Sequence, residues 1–597
     1  MVYQNKRIKK SFLFWIVSLS IIFYGLFILL PAGVLTKGGS FAEAAAIGET
    51  KNFYVDPSYD ISGRQEISTV LQKVTNQLYF YIDNSFWQGL SSDDKNKINS
   101  ALQGLNDEFE RKIYPTLTST FGFEWKPGID KDEHVTILIH PMKKDRAGYV
   151  RLGDEYSRFI VTDSNEREMV YLNSDYITSS LNKSFLAHEF MHLITFNQKD
   201  NIQKIEEEIW LNEARADYAP TLLGYDSEYQ GSNLQKRVSE FLKNPSDSIT
   251  DWNNSSADYG ALSVFTQYLV DHYGVNILVD SLHTSKKGIE SINYALIKDG
   301  FKEDFSQIFT DWTIAILVND CSLTPLDSEH LTGVGSKYCY KNKKLDNLRV
   351  LPVIYFLPLN SQSTLYVNYV TKNWTGNWHK LFGGGGTLTF EFEGSLKGEF
   401  KVPYIICDYL NICSVKFLDL DENQMGKIVI KDFNTKYTSL IIIPSAQNDS
   451  SNSDNPAPSF SFSWKVRIDL QSQGEELINQ LLSQMAALKA EIARVQAQID
   501  AIQGKKTNSC QKFETNLYFG LKDNQGVNCL QEFLKNQGPD IYPEGLVTGN
   551  FLSLTKAAVI RFQEKYAPEI LVPLGLEKGT GYVGQATRTK INQMVGF

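Results

Sequence analysis

The chain has 597 residues, of which 42% are hydrophobic and 12% aromatic, and its formal net charge is −10 at pH 7. This length and composition predict several domains with packed cores. The negative charge argues against a nucleic-acid partner, because phosphate binding needs a basic face.

The N-terminus carries the pattern of a membrane signal. Twenty uncharged residues, 11–30, follow the basic cluster Lys6, Arg7, Lys9 and Lys10. As a helix they would cover about 30 Å, the thickness of a bilayer core, and the basic flank predicts that the rest is exported. Small residues at 41–46 offer cleavage sites but lie far from the apolar run. Residues 1–46 are therefore predicted to be a signal peptide or, with slight preference, a membrane anchor, making the protein extracytoplasmic: secreted or membrane-anchored.

The cysteines agree with export. Six fall into three local pairs without C-x-x-C zinc spacing: Cys321 with Cys339, Cys407 with Cys413, and Cys510 with Cys529. An even count in an exported chain predicts disulfide bonds. Free buried cysteines are the alternative, and the pairing of sequence neighbours is a hypothesis.

Residues 50–128 have apolar positions at helical spacing, which predicts helices over 71–82 and 98–113. The apolar run 134–140 predicts a buried strand, and we assign its flanking residues His134 and His140 no metal role. A further strand is predicted within residues 164–173.

Residues 188–192 read His-Glu-Phe-Met-His. On a helix His188 and His192 lie one turn apart on one face, so both imidazoles can bind one metal ion. Glu189 lies beside them as the carboxylate that takes a proton from water, the arrangement of zinc peptidases. A buried helix with two satisfied histidines is the alternative for this stretch alone.

A third ligand is available downstream, in the helical pattern around Glu213. A catalytic zinc takes three protein ligands and keeps one open position, so Glu213 would complete a His2Glu set. Asp217 lies one turn further on and could accept a hydrogen bond from the second nitrogen of a ligand histidine. A solvated glutamate in an acidic helix is the alternative for Glu213.

The two motifs, His-Glu-Phe-Met-His and Trp-Leu-Asn-Glu-Ala-Arg-Ala-Asp-Tyr-Ala, resemble the gluzincin zinc metallopeptidases, most of all the hyicolysin-like group. The likeness covers roughly residues 50–320. It implies an α+β gluzincin-like catalytic domain, placed at 50–340, and an edge strand at 164–173 that holds the substrate backbone. It also implies that Tyr259 matches the tyrosine that stabilises the oxyanion in zinc aminopeptidases. That match is loose because the lysine of the family pattern is missing, and a core aromatic residue is the alternative.

The second half of the chain has a different character. Eight short strand-like runs separated by turn signals predict a β-sandwich accessory domain at 341–470, acting as a binder or a spacer. A heptad pattern at 475–503 predicts a coiled-coil-like helix. A homodimer through this segment and a single helix leaning on a neighbouring domain both fit the pattern. Its core positions are Ile478, Leu481, Met485, Leu488, Ile492, Val495, Ile499 and Ile502.

Residues 508–597 resemble the small α-helical peptidoglycan-binding domain. The resemblance rests on the Gly526-Val run, the Thr-Gly549 turn, the Phe562-Gln563 pair and the Thr587-Arg588 pair. It implies peptidoglycan as a partner, although a module that kept the fold and lost the glycan is the alternative.

Together these patterns predict a multidomain extracytoplasmic peptidase, tethered to the cell wall, that hydrolyses protein or peptide substrates with Zn²⁺. Two alternatives stay open on the sequence: a peptidase acting on peptidoglycan stem peptides, and a non-catalytic wall-bound adhesin with a degenerate peptidase fold.

Overall fold

The computed structural model describes residues 46–323, 337–358, 363–410, 412–448, 458–469, 476–502 and 512–596. The protein is multidomain and combines several β-sheets with many helices. It forms two compact units, divided between Ala487 and Leu488. No helix in the described ranges is long and apolar enough to cross a membrane. The predicted N-terminal signal lies outside these ranges.

Six strands form a mixed sheet near the start of the described chain: β1 Thr50–Tyr54, β2 Glu66–Val74, β3 Leu78–Asp83, β4 Val135–His140, β5 Gly148–Tyr149 and β6 Met169–Asn173. Their spatial order is β1-β2-β3-β4-β6-β5. The central strands β3, β4 and β6 are parallel, and the outer strands pair antiparallel. The strand predicted at 134–140 is confirmed as β4.

Helices cover this sheet and extend beyond it. Between residues 84 and 318, a range described without gaps, they are α1 Asn84–Gly89, α2 Ser92–Glu108, α3 Tyr114–Phe121, α4 Asn182–Thr195, α5 Ile209–Leu222, α6 Asn233–Lys243, α7 Ser256–Tyr273, α8 Asn276–Leu282, α9 Gly288–Lys298 and α10 Phe305–Val318. Helix α4 packs against α5 and against β5 and β6. The helix predicted over 98–113 is confirmed as α2 and the π-helical turn that continues it.

The helix predicted over residues 71–82 is wrong, because these residues form the end of β2 and most of β3. All six residues of β3 are buried inside the sheet. A strand that is covered on both faces is apolar at every position, so a spacing of three or four can be found in it without a helix.

The prediction that residues 164–173 supply the edge strand is also wrong. β6 is covered by β5, which pairs antiparallel with it through Gly148 and Tyr149. The edge of the sheet beside α4 is therefore β5. A Cβ atom at Gly148 would lie 2.8 Å from the Tyr171 carbonyl oxygen on β6 and 3.1 Å from Glu189 Oε1 on α4, so a side chain at this position would displace its neighbours. A strand of two residues has too little periodicity to be found from sequence.

The strands after residue 350 form two sets that share one hydrophobic cluster. The first set runs β13-β12-β15-β9-β7, and the second runs β14-β10-β17-β8. The pair Phe433 and Tyr437 connects them, and β11 pairs with β16 separately. Their bounds are β7 Val353–Leu357, β8 Ser363–Lys372, β9 His379–Gly383, β10 Gly386–Gly394, β11 Phe400–Lys401, β12 Pro403–Asp408, β13 Cys413–Phe417, β14 Met425–Phe433, β15 Tyr437–Ile442, β16 Ser445–Ala446 and β17 Ser459–Asp469.

A continuous hydrophobic interior joins these strands to the helices. Trp374 and Trp378 belong to the same buried cluster as Phe305 and Trp312 of α10. The Trp378 indole N–H donates a hydrogen bond to the Thr313 carbonyl at 2.9 Å. Residues on both sides of the domain boundary predicted near residue 340 therefore pack into one hydrophobic core.

The predicted disulfides are confirmed where the structure describes both partners. Cys321 is bonded to Cys339, and Cys407 to Cys413. Cys529 is also disulfide-bonded, and its predicted partner Cys510 lies outside the described residues.

The heptad segment forms a single helix, α11 Glu476–Ile502. Leu481, Met485, Leu488 and Ile492 of its apolar stripe are exposed. The homodimer through this helix stays a prediction.

The C-terminal region folds as a small helical domain with an internal duplication. The Gln531 side-chain amide donates a hydrogen bond to the hydroxyl of Thr555, 24 residues later in the chain. Its oxygen accepts a hydrogen bond from the N–H of Gly549, 18 residues later. The second copy repeats both bonds at the same separations in Gln563, Gly581 and Thr587. The helices are α12 Gln525–Asn536, α13 Ser553–Lys565, α14 Ala567–Ile570 and α15 Gln585–Val595.

His140, at the end of β4, makes stability depend on pH. Its ring is fully buried, 3.3 Å from Asp60 Oδ2. Burial lowers the pKa of His140 to about 4 despite Asp60, whose carboxylate is already paired with Arg64. The unfolded chain, in which the His140 pKa is about 6.5, therefore binds a proton more readily than the folded protein. The contribution of His140 to the free energy of unfolding is full above pH ~6.5 and is lost as the pH falls towards 4.

We expect the free energy of unfolding, measured by urea denaturation, to fall by up to ~3 kcal/mol more between pH 7 and pH 4 in the native protein than in His140→Gln. Equal pH dependence in the two proteins would contradict this assignment.

Candidate metal centre

Two neighbouring helices bring the three predicted metal ligands together. His188 and His192 lie one turn apart on α4, and Glu213 lies on α5. Glu213 Oε2 is 3.3 Å from His188 Nε2 and 3.8 Å from His192 Nε2, and the two Nε2 atoms are 3.3 Å apart. Of the described residues, this is the one group of three or more His, Cys, Asp or Glu side chains that could hold a metal ion.

The distances between these three atoms fit a cation with tetrahedral coordination. Ligand atoms bound tetrahedrally at ~2.0–2.1 Å from a zinc ion lie about 3.3 Å from one another. Glu213 Oε2 is buried and faces the Nε2 atoms of His188 and His192, so a cation between them would contact all three atoms. Two imidazoles and one carboxylate suit zinc and other divalent first-row metals.

The charges around the three atoms favour positive charge at this point. Although burial opposes it, hydrogen bonding and attraction to Glu213 raise the pKa of His188. Burial lowers the pKa of His192. Although burial would raise it, the two histidines lower the pKa of Glu213. The carboxylate is therefore held in its charged form, which is the form that binds a metal.

Glu189 lies beside the ligands and faces the cleft. Its side chain is buried, and its Oε1 lies next to the backbone of Gly148 on β5. Burial raises the pKa of Glu189 to about 8. Poor solvation disfavours the charged form of this carboxylate and so increases its affinity for a proton.

Asn212 orients one ligand, and this residue was missed by the sequence analysis. Its side-chain oxygen lies 2.9 Å from His192 Nδ1. With Nδ1 donating to Asn212, the lone pair of Nε2 points towards Glu213 and His188. Asn212 directly precedes Glu213 in the motif Trp-Leu-Asn-Glu, and this position next to a predicted ligand could have identified it.

We expect Asn212→Ala to weaken metal affinity by ~10–100-fold, because the ring of His192 loses the bond that fixes its tautomer. Competition with a chromogenic chelator measures this directly. Asn201→Ala is the control, since that amide bonds to Asn197 and not to a histidine. Equal affinity in the Asn212 variant and the control would contradict the role.

Asp217 lies close to His188, as predicted, but at a longer distance than a hydrogen bond. Its Oδ1 is 3.9 Å from His188 Nδ1. The same oxygen accepts hydrogen bonds from Arg237 at 2.9 Å and Asn233 at 3.2 Å. Arg237 and Asn233 were not predicted, because they come from α6, and nothing in their sequence spacing relates them to α5.

Tyr259 is brought to the same site by the first turn of α7. Its ring centre lies 6.4 Å from that of His188, and the Arg237 guanidinium lies 4.2 Å from the Tyr259 ring centre. A capping box between Ser255 and Asp258 fixes the start of this helix. Burial raises the pKa of Tyr259 well above its usual value, so the hydroxyl keeps its proton.

A cleft of ≈480 Å³ opens beside the histidines. Its lining includes His188, Glu189 and Tyr259, the basic side chains Arg146, Lys236 and Arg237, and the acidic side chains Asp145 and Glu240. Because Glu189 lines this cleft, a molecule bound there would lie next to its carboxylate.

No protein-family model and no curated protein matches the chain. One solved structure with a likeness is PliG, a periplasmic inhibitor of g-type lysozyme from Aeromonas hydrophila: 10% identical, TM-score 0.13, covering 20% of this chain and all of that one. Another is BtGH115A, a family GH115 4-O-methyl-α-glucuronidase with specificity for decorated arabinogalactans: 8% identical, TM-score 0.12, covering 57% of this chain and 52% of that one. Scores this low carry no argument about fold or function.

Proposed function

We propose that this protein is an extracytoplasmic zinc metallopeptidase that hydrolyses peptide bonds in proteins and is tethered to the cell wall by its C-terminal domain. The finer fold assignments belong to the same proposal: a gluzincin-like catalytic region followed by a β-sandwich. The observation that carries it is the convergence of His188, His192 and Glu213 within 3.8 Å, beside a buried Glu189 that faces a cleft.

Zinc held by these three side chains would supply a Lewis acid that polarises the peptide carbonyl and acidifies a water molecule. Glu189 accepts the proton of the attacking water and passes it to the leaving amine. The Tyr259 hydroxyl donates a hydrogen bond to the carbonyl oxygen as it becomes negative, a contribution of about 2.7–4 kcal/mol in comparable sites. The outer edge of β5 offers backbone groups to an extended peptide.

Export and wall attachment rest on three features. The first is the basic and apolar N-terminal pattern. The second is the set of disulfides, which form in oxidising compartments. The third is the resemblance of residues 508–597 to a peptidoglycan-binding domain.

Metal analysis combined with two substrates tests the proposal. We expect one zinc per chain, hydrolysis of casein that stops on chelation and returns with zinc, and no release of stem peptides from purified peptidoglycan. Release of stem peptides without casein hydrolysis would favour the wall itself as substrate. A purified protein without bound metal and without either activity would overturn the enzymatic proposal and leave the adhesin alternative.

A further inference from the structure

The C-terminal domain has a cluster of exposed side chains that its fold does not bury. Tyr518, Phe519 and Tyr582 are 49%, 55% and 44% exposed. The rings of Tyr518 and Tyr582 are nearly parallel, at 20°, with their centres 6.3 Å apart. The Lys556 ammonium lies 5.8 Å from the Phe519 ring centre. These four side chains are called the aromatic patch.

Lys556 also connects the two ends of the patch. A Cβ atom at Gly581 would lie 2.6 Å from Lys556 Cγ, so the lysine stem packs against the backbone next to Tyr582. The patch is therefore one continuous surface with a single positive charge at its margin.

The internal duplication indicates that Tyr582 and Lys556 do not make the structural hydrogen bonds that their counterparts make. Tyr582 takes the place that Asn550 has in the first copy, where the Asn550 side chain accepts a hydrogen bond from the Asp523 N–H. Lys556 takes the place that Arg588 has in the second copy, where the guanidinium bonds to the Glu514 carbonyl and to Asn516. Each counterpart serves the fold of the domain, whereas Tyr582 and Lys556 present their side chains to solvent.

The backbone under the patch is fixed at both ends. Leu517 and Val583 exchange hydrogen bonds, and Gly520 donates to the Phe551 carbonyl. Tyr518 and Phe519 lie between these anchors. A surface that is held in place before binding loses little conformational freedom when a ligand arrives.

We propose that the aromatic patch binds a glycan strand that carries carboxylate groups. Tyr518 and Tyr582 stack on the apolar C–H faces of the sugar rings, and Lys556 pairs with a carboxylate on the strand. Flat, rigid rings with a hydroxyl at the rim suit a ligand that is apolar on one face and polar at its edge. Three rings beside a charge form a smaller and more polar surface than the large patches that mark protein or membrane contacts.

This proposal rests on the wall tether proposed above, and names the side chains that perform it. Sedimentation of the full chain with purified peptidoglycan at rising concentration measures the affinity. We expect Tyr518→Ala and Tyr582→Ala each to weaken binding ~10-fold, and Lys556→Gln to remove most of the salt dependence of binding. Leu574→Ala is the control, because it removes a 59% exposed apolar side chain of the same domain outside the patch.

The outcomes separate the two proposals. If the native chain does not sediment with peptidoglycan, the tether fails and the patch with it. If the native chain binds and both tyrosine variants bind equally well, the patch is excluded while the tether stands. A soluble oligomer of N-acetylglucosamine offers the apolar sugar faces without a carboxylate, so it should compete with the wall for the native chain and for Lys556→Gln alike. Competition by free stem peptide alone would also overturn the glycan assignment.

Discussion

Replacing Glu189 with glutamine is expected to leave one zinc bound per chain and to lower casein hydrolysis by roughly 10²–10⁴-fold. Glutamine keeps the shape of the side chain but cannot accept the proton of the attacking water. Because the ligands His188, His192 and Glu213 are unchanged, metal content should not move. Initial rates at saturating casein, together with metal analysis of the same sample, measure both quantities.

Glu124→Gln is the matched control for this substitution. Glu124 is also a buried glutamate whose pKa burial raises, but it bonds to Tyr114 and does not line the cleft. Its variant should keep native turnover. Full activity in Glu189→Gln, or an equal loss in both variants, would rule out Glu189 as the base.

Replacing Glu213 with alanine is expected to abolish stoichiometric zinc binding and activity together. Only two imidazoles then remain, and catalytic zinc sites use three protein ligands. Zinc at about a thousand times its dissociation constant stabilises a folded protein by ~4 kcal/mol. We therefore expect the unfolding temperature of the native chain to rise on adding zinc, and that of the variant to stay unchanged.

Glu206→Ala provides the comparison for Glu213→Ala, because this exposed glutamate precedes α5 and lies outside the metal centre. It should bind zinc as the native chain does. A Glu213→Ala protein that still binds one zinc per chain with native affinity would show that the third ligand lies elsewhere.

The metal ligands could be predicted because local geometry determines most of their arrangement. Two histidines four residues apart share a helix face whatever the rest of the chain does. Glu213 could be predicted as the third ligand because its motif is short and follows His192 closely enough for one helix, a loop and a second helix to bring the residues together. Arg237 and Asn233 could not be predicted, since their contact with Asp217 depends on how α6 packs on α5, and sequence spacing does not encode that packing.

The sheet was harder to predict than the site. β3 was read as helix because a strand buried on both faces has no alternation to distinguish it. β5 has two residues, and its role follows from its pairing with β6 and from the close approach of Gly148 to α4. Both errors concern long-range contacts, and neither affects the residues that converge on the metal centre.

The interior that Trp374 and Trp378 share with α10 limits how this protein can be divided. A chain cut near residue 340 would leave Phe305 and Trp312 without part of their cover, and such exposed apolar surface favours aggregation. The helices up to α10 and the strands after residue 350 therefore have to be inherited as one piece.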